Sequence, residues 1–299
     1  TDTGHVSVVR TSQPAGSFRL LNAGISPSKS TGGQIVNTCG SLEALSQMDV
    51  GLAELGGKKE AVRAVQDMGI VKGLSNTLSS KLIYGNQGTT PAEFDGFASR
   101  YFSLGTTYTT SGQMIDAGGT GTDNTSIWLV CWAPDQCYGV YPRGTRGGLQ
   151  MTDDGMVTIE DPNSAATYLR MWQTHFKWLA GLAVDDYRCV SRICNVDISN
   201  LETASDSSDT SANILKFMSK AMDFIPPGKD VNPVFYMNNR VRSMLRVKMD
   251  NKANVHLTVE NVTSKSGFGR KQLSFYEVPC RRIDSILNTE SQITTATTS

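Results

Sequence analysis

The densest apolar pattern in the chain lies in residues 124–197. It opens on the continuous run Ile127, Trp128, Leu129, Val130, Cys131 and Trp132. Pro134 and Asp135 mark a turn, and Cys137-Tyr138-Gly139-Val140-Tyr141-Pro142 follows. After a glycine- and arginine-bearing loop over 143–155, Tyr168, Arg170, Trp172, Thr174, Phe176 and Trp178 alternate along one face, and 187–196 completes the stretch. β-Branched and aromatic residues bounded by turn residues suit a pleated, half-buried surface, so the pattern predicts one long antiparallel sheet section. All 4 tryptophans lie inside it, so much of the packing is committed here. No catalytic group stands out.

The clearest helical pattern is 58–84. Val62, Val65, Met68 and Gly69 share a stripe that Val71, Leu74, Leu78 and Leu82 continue at three- and four-residue steps. Such a helix rises about 40 Å. Gly69 and Gly73 inside it each cost about 1 kcal/mol against Ala, which points to close backbone packing or a bend. Gly85-Asn86 supplies the stop. Upstream, residues 1–45 are extended and polar, with strands expected at 6–10 and 18–21, a turn at 12–16 and a Ser/Gly/Pro loop at 24–33. A two-stranded ribbon is marginal alone in water. The segment therefore reads either as an unstructured terminus or as an arm that packs on a neighbouring subunit. Residues 41–55 alternate weakly up to Gly56-Gly57. Residues 85–121 are loop-rich around an apolar knot of Phe94, Phe97, Tyr101 and Phe102. Gly118-Gly119-Thr120-Gly121 lacks the lysine and the strand-then-helix setting of a phosphate loop, so it reads as a turn.

Beyond the sheet section, 205–211 is a polar linker in which Asp209, Thr210 and Ser211 offer helix caps. Ile214, Phe217, Met218, Ala221 and Met222 form an amphipathic helix ended by Pro226-Pro227-Gly228. A buried strand over 233–237 leads into Asn238-Asn239-Arg240, which caps a helix presenting Val241, Met244 and Leu245. Strands are expected at 255–259 and 273–276 around a turn at 264–270. Residues 283–287 close the fold, and the Thr- and Ser-rich end over 288–299 reads as frayed.

At 299 residues the chain has room for one large domain or two intertwined ones. Its 28 Lys and Arg balance 28 Asp and Glu. That balance argues against a protein that holds polyanions by bulk charge, and zero net charge favours association. No apolar run reaches the roughly 18–20 residues that span a bilayer, so no membrane partner is expected. The first residues lack the apolar core of a signal peptide. The chain does not begin with Met, so residues upstream of Thr1 are expected. Cys39, Cys131, Cys137, Cys189, Cys194 and Cys280 form no C-x-x-C pair, and His5, His175 and His256 add no zinc spacing. The cysteines read as buried thiols in a reducing compartment. A Cys/His hydrolase is the competing reading, although nothing sets His175 or His256 beside a cysteine. No catalytic, cofactor-binding or metal-binding residue is assigned, and no cofactor is expected. Asn124-Thr125-Ser126 and Asn261-Val262-Thr263 match the glycosylation pattern without a secretion signal to make them relevant.

One resemblance orders these pieces. After the long helix come Tyr84-Gly85-Asn86, Phe94-Asp95-Gly96-Phe97 and Arg100-Tyr101. Asn124-Thr125-Ser126-Ile127-Trp128-Leu129-Val130 precedes Gly139-Val140-Tyr141-Pro142-Arg143-Gly144 and Gly147-Gly148-Leu149-Gln150. Lys177-Trp178, Gly181-Leu182-Ala183-Val184 and Arg192-Ile193-Cys194-Asn195-Val196-Asp197 follow. Tyr236-Met237-Asn238-Asn239-Arg240 and Val278-Pro279-Cys280-Arg281-Arg282-Ile283-Asp284 close the series. Over residues 10–287 the chain resembles a major capsid protein of a short-tailed, tailed bacteriophage.

The resemblance implies an α+β chain with the Hong Kong 97-like capsid fold. Residues 1–45 would be the extended loop. Residues 46–198 would be mainly the peripheral domain, with spine helix 58–84 and the long β-strands. Residues 199–288 would be mainly the axial domain and 289–299 a C-terminal tail. An N-terminal arm would lie upstream. The order of the motifs, with 168–196 ahead of 236–284, points to a permuted connectivity that long strands after Leu257 would rule out. The implied function is structural, not enzymatic: self-assembly into hexamers and pentamers of an icosahedral head around double-stranded DNA. Partners would be further copies of itself, scaffold, portal and decoration or cement proteins, and non-specifically held DNA. The location would be the virion shell, assembled in the host bacterial cytoplasm. Arg10, Arg19, Arg143, Arg146, Asp153 and Asp154 are candidate contact charges, each with the alternative of a solvated surface group. A polar rim over 112–121 is a candidate for a capsomer axis. Some relatives join a lysine to an asparagine covalently; no motif assigns such a pair here, so a non-covalent shell is expected. An encapsulin-type cargo shell is the alternative with the same fold.

Overall fold

Residues 127–131 are apolar without alternation because the strand they form is covered on both sides. The computed structural model describes residues 4–12, 14–29, 31–55, 59–105, 109–161, 167–203, 213–228, 232–249, 257–263 and 269–295. Along the chain the elements are β1 (Gly4–Ser12), β2 (Thr31–Asp49), α1 (Val50–Glu54), α2 (Lys59–Tyr84), α3 (Phe97–Arg100), β3 (Met114–Asp116) and β4 (Asn124–Cys131). Then come β5 (Cys137–Val140), β6 (Gly148–Glu160), β7 (Tyr168–Val184), β8 (Val190–Asp197), α4 (Ile198–Thr203) and α5 (Ile214–Asp223). The chain continues through β9 (Pro233–Met237), α6 (Asn239–Met249), β10 (Leu257–Thr263), β11 (Gly269–Phe275) and β12 (Val278–Arg282).

A seven-stranded sheet runs β10-β11-β12-β9-β4-β8-β3. Central β4 pairs antiparallel with both β8 and β9. Its side chains alternate between two cores. Ile127 and Leu129 join Ile193, Phe235 and Met237 beneath α5 and α6. Trp128 and Val130 join Val190, Cys194, Phe97, Tyr101 and Ile83 on the opposite face. A strand covered on both faces needs no polar side, which is why its sequence does not alternate. The covering helices form where the sequence supplies both stripe and cap. The Asn213 side chain accepts from Lys216 N at the start of α5, and Ile214, Phe217, Met218 and Ala221 are buried. The Asn238 side chain accepts from Arg240 N at the start of α6. Val241 and Leu245, one turn apart, face the same core.

The other sheet is built around β7, a 17-residue strand about 56 Å long. β2 runs antiparallel along one side of it. β6 and then β5 take the other side, and β1 lies beyond β2. The change from β6 to β5 falls near Gly181, which faces both Cys39 and Val140. A Cβ there would sit 2.7 Å from the Thr38 carbonyl oxygen and 3.1 Å from the Cys39 sulfur, so only glycine lets the three strands meet. A bulge slips the β6 register between Asp153 and Gly155, where Gly155 takes φ 74°.

Helix α2 falls within one residue of its expected start and on its expected end. Other expectations are corrected. The stretch 124–197 is not one sheet section, because β4 and β8 belong to the seven-stranded sheet and β5, β6 and β7 to the other. The supposed loop over 143–155 already contains β6 from Gly148 onward; most of that edge strand is exposed or half-exposed, so it shows no apolar pattern. No strand forms over 18–21; Ala23 N donates to Leu20 O in a turn. The second strand of the ribbon is instead the 19-residue β2, disguised by its Gly, Ser and Thr content. Phe102 is exposed and lies outside the knot of Phe94, Phe97 and Tyr101. Gly69 and Gly73 have open space beside them, so neither serves close packing within the chain. The Asp209, Thr210 and Ser211 caps and most of the 264–270 turn lie outside the described residues. The long strands do precede Leu257, as the motif order requires. The ranges 46–198 and 199–288 do not separate the sheets, since β4 and β8 pair within one sheet with β9 and β12.

The two kinds of glycine should respond oppositely to the same substitution. In urea unfolding, Gly69→Ala should stabilise the subunit by about 0.5–1 kcal/mol, since it removes backbone entropy without a clash. Gly181→Ala should destabilise it by about 1–3 kcal/mol.

Candidate functional site

The seven-stranded sheet, the long helix and the C-terminal segment meet at one buried ion pair. Arg192 projects from β8 into the core that holds Trp128, and its guanidinium lies 4.7 Å from that ring's centre. Nε donates to Ser126 Oγ at 3.0 Å, Nη1 to the Tyr101 carbonyl at 2.7 Å and Nη2 to Glu290 Oε2 at 2.9 Å. Only 5% of the Arg192 side chain and 7% of the Glu290 side chain are exposed. Ser126 Oγ also donates to Glu290 Oε2. The other carboxylate oxygen, Oε1, accepts from the Tyr84 hydroxyl at the last residue of α2. Burial first, then the charge and hydrogen bond of Glu290, push the Tyr84 hydroxyl far up from its ordinary pKa, so it remains a donor.

Glu290 lies in the end expected to fray, and this expectation fails for 288–295. Glu290 N donates to Asn124 O at 2.9 Å and Gln292 N to Gly121 O at 3.0 Å. Asn195 pairs with both the N–H and the carbonyl of Ile293, at 2.8 and 2.9 Å. Thr125 Oγ1 donates to Leu287 O at 2.7 Å. The segment is a strap laid across β4 and β8. One signal was present in the sequence: after Asp284, Glu290 is the only charged residue.

The N-terminal end of α2 is held by a different device. Arg63 donates to Asp153 Oδ1 at 2.7 Å and to Thr174 Oγ1 at 3.3 Å. Lys59 Nζ sits 4.3 Å and the Arg63 guanidinium 5.1 Å from the centre of the Trp172 ring. The bulge aims Asp153 at Arg63, and that hydrogen bond holds the Asp153 carboxyl below its usual pKa. Asp153 therefore serves a contact inside the chain, and Asp154 accepts from Gln173 at 2.8 Å. Arg19 donates to Ala23 O at 2.9 Å and closes the turn after 18–21. Arg143 and Arg146 are exposed, and the Arg10 side chain lies outside the described residues. The rim over 112–121 is only partly polar surface, since Met114, Ile115 and Ala117 are buried.

The conspicuous unpartnered surface is the segment 14–29. Phe18 is 110% exposed, Leu20 81%, Leu21 96% and Ile25 65%, four large apolar side chains within residues 18–25. Val6 and Val36 face each other on the ribbon behind it and are also exposed. Contiguous exposed apolar surface of this kind marks an interaction site.

The thiols are placed for packing. Five of the six cysteines are buried and none forms a disulfide. Burial pushes Cys194 and Cys280 up to about 12 and raises Cys137 further. A nucleophilic cysteine needs the opposite shift. His5 hydrogen-bonds Tyr138 at 3.0 Å and His175 contacts Glu43 at 3.2 Å, while His256 lies outside the described residues. Among the described residues no cluster of three or more His, Cys, Asp or Glu could hold a metal ion, and no helix is long and apolar enough to cross a membrane.

The family model described as major capsid protein GP7 matches residues 1–294. A structure of bacteriophage Epsilon15 matches with 30% identity and a TM-score of 0.69, covering 98% of this chain and 85% of that one. The capsid of bacteriophage JBD30 matches with 12% identity and a TM-score of 0.43, over 95% and 87% of the two chains. The SrpI encapsulin of Synechococcus elongatus matches with 11% identity and a TM-score of 0.40, over 64% and 82%. A comparison with curated proteins found no match.

Two outcomes follow for the isolated subunit. Glu290→Gln leaves Arg192 buried without a countercharge, and chemical unfolding should show a loss of about 3–5 kcal/mol. A thiol reagent at neutral pH should leave Cys137, Cys194 and Cys280 unmodified in the native protein and label all of them in denaturant.

Proposed function

Because this chain belongs to the major capsid protein GP7 family, we propose that its ribbon tip, residues 14–29, is the surface by which one subunit grips the next in a bacteriophage shell. The chain is a major capsid protein, and its role is structural. The observation that supports the finer reading is the exposure of Phe18, Leu20, Leu21 and Ile25 on a segment whose every residue is exposed among the described residues. Transferring such side chains from water to an apolar partner yields roughly 1.5–3 kcal/mol each at full burial. Repeated at every contact of a shell, even partial burial accumulates into stable association without any strong single bond.

In this reading the subunits associate as hexamers and pentamers of an icosahedral head around double-stranded DNA. The zero net charge lets like subunits approach without long-range repulsion. Arg143 and Arg146 at the exposed turn before β6 remain candidates for contacts that set register between subunits. DNA contact would be weak and independent of sequence, since none of the described elements presents side chains for base readout. Scaffold, portal and decoration proteins are the further partners expected of such a shell, with assembly in the host cytoplasm. The encapsulin alternative finds no supporting observation here. The hydrolase alternative is opposed by the upward shift of the buried thiols.

Replacing Phe18 and Leu21 together by Ser should abolish shells seen by electron microscopy under conditions where the unaltered chain assembles. The melting temperature of the unassembled subunit should stay unchanged, because neither side chain is buried within it. Normal shells from this variant would show that the tip is not the grip.

A further inference from the structure

The Glu290 carboxylate serves two bodies with one oxygen each. Oε2 belongs to the seven-stranded sheet, through Arg192 on β8 and Ser126 on β4. Oε1 belongs to the long helix, through the Tyr84 hydroxyl. That hydroxyl also accepts from Leu287 N at 2.9 Å, so it is fixed on both sides. At its other end the same helix is fixed to the second sheet, through Arg63 with Asp153 and through Lys59 and Arg63 with Trp172. Between the two anchorages lie Gly69 and Gly73, with open space beside each. Glycines within a helix are where bending concentrates.

We propose that Tyr84 and Glu290 are positioning residues for assembly: they pin the end of the long helix to the seven-stranded sheet and so set the angle between the two sheets at which subunits tile. The helix has 26 residues. Because it is about 39 Å long, a slip of ~1 Å at one end tilts it by about 1.5°. An isolated subunit tolerates such a tilt, since neither core is opened by it. A closed shell does not, because the same error recurs in every copy and changes the curvature. The pin also explains why a charge is buried here at all. An apolar contact would hold the strap down but would leave the helix free to slide, whereas a hydrogen-bonded carboxylate fixes register. Ile83 and the half-buried Leu78 and Leu82 supply the adhesion at this end of the helix, and Tyr84 supplies the direction.

The inference rests on the capsid reading, and two variants separate it from simple stability. Tyr84→Phe removes both hydrogen bonds of the helix-side hydroxyl, to Glu290 and from Leu287 N, and keeps the ring and the ion pair. Ser126→Ala removes a sheet-side bond to the same carboxylate and leaves the helix contact intact. Both are made in the full chain and assembled as the unaltered chain is, with particle diameters measured by electron microscopy and subunit melting measured in parallel. Tyr84→Phe should lower the melting temperature by about 3 °C or less and broaden the distribution of shell diameters or add shells of a second size. Ser126→Ala, in a fully buried site, should lower the melting temperature more and keep one diameter. Uniform shells from Tyr84→Phe would overturn the proposal. So would diameters that broaden in step with lost melting temperature across the two variants, or a Tyr84→Phe chain that fails to fold, since the contact would then be a stability element only. Failure of the unaltered chain to form any shell would count against the capsid reading instead.

Discussion

The subunit depends on a charge pair that its sequence places far apart. Arg192 and Glu290 are separated by 98 positions, and both are almost fully withdrawn from water. Taking two charges out of water costs several kcal/mol per ion, and the cost is offset only when every donor and acceptor is used. Here it is offset by convergence. Ser126 and the Trp128 ring of β4, the Tyr101 carbonyl and the Tyr84 hydroxyl at the end of α2 surround the pair. The strap, the central strands, the segment after the long helix and the helix itself are therefore fixed by one network. A network of this kind is stable only when all its parts are in place, so it ties the completion of the fold to the arrival of the C-terminal strap.

Seen from this centre, the two ends of the molecule have different jobs. The seven-stranded sheet is covered on both faces and holds the two large cores. The sheet around β7 is long and more exposed, and it carries the ribbon that ends in Phe18, Leu20, Leu21 and Ile25. In the proposed reading the first supplies rigidity and the second supplies reach. The long helix joins them, gripped by cations on an indole ring at one end and by a carboxylate on a tyrosine at the other. A shell-forming subunit needs this combination: a body that does not deform and an extension that finds the neighbour.

Much of the body was legible from local pattern. Helix α2 followed from its stripe and its glycine stop, α5 and β9 from apolar spacing and proline breaks, and α6 from its apolar spacing and asparagine cap. What escaped was set by distant residues. The division of 124–197 between two sheets depends on β9 and β12, which pair beside β4 from roughly a hundred positions later, and no local window contains that information. β2 and β6 escaped because exposed strands rich in Gly, Ser and Thr carry no apolar alternation. Glu290 escaped because its burial is a property of the whole core, and its Ser- and Thr-rich surroundings read as solvent-exposed tail. The ribbon tip reads from its sequence either as an unstructured terminus or as an arm, and the strand expected over 18–21 is a turn. Asp153 was recognised as a contact charge but answers to Arg63 of its own subunit.

The most direct test of this account is electron cryomicroscopy of the assembled particle at side-chain resolution. The account predicts round shells in which residues 14–29 of each subunit lie against a neighbour, with Phe18 and Leu21 buried there and the contact from Tyr84 to Glu290 intact. Shells in which 14–29 folds back on its own subunit, or protein that remains monomeric with every partner supplied, would contradict it.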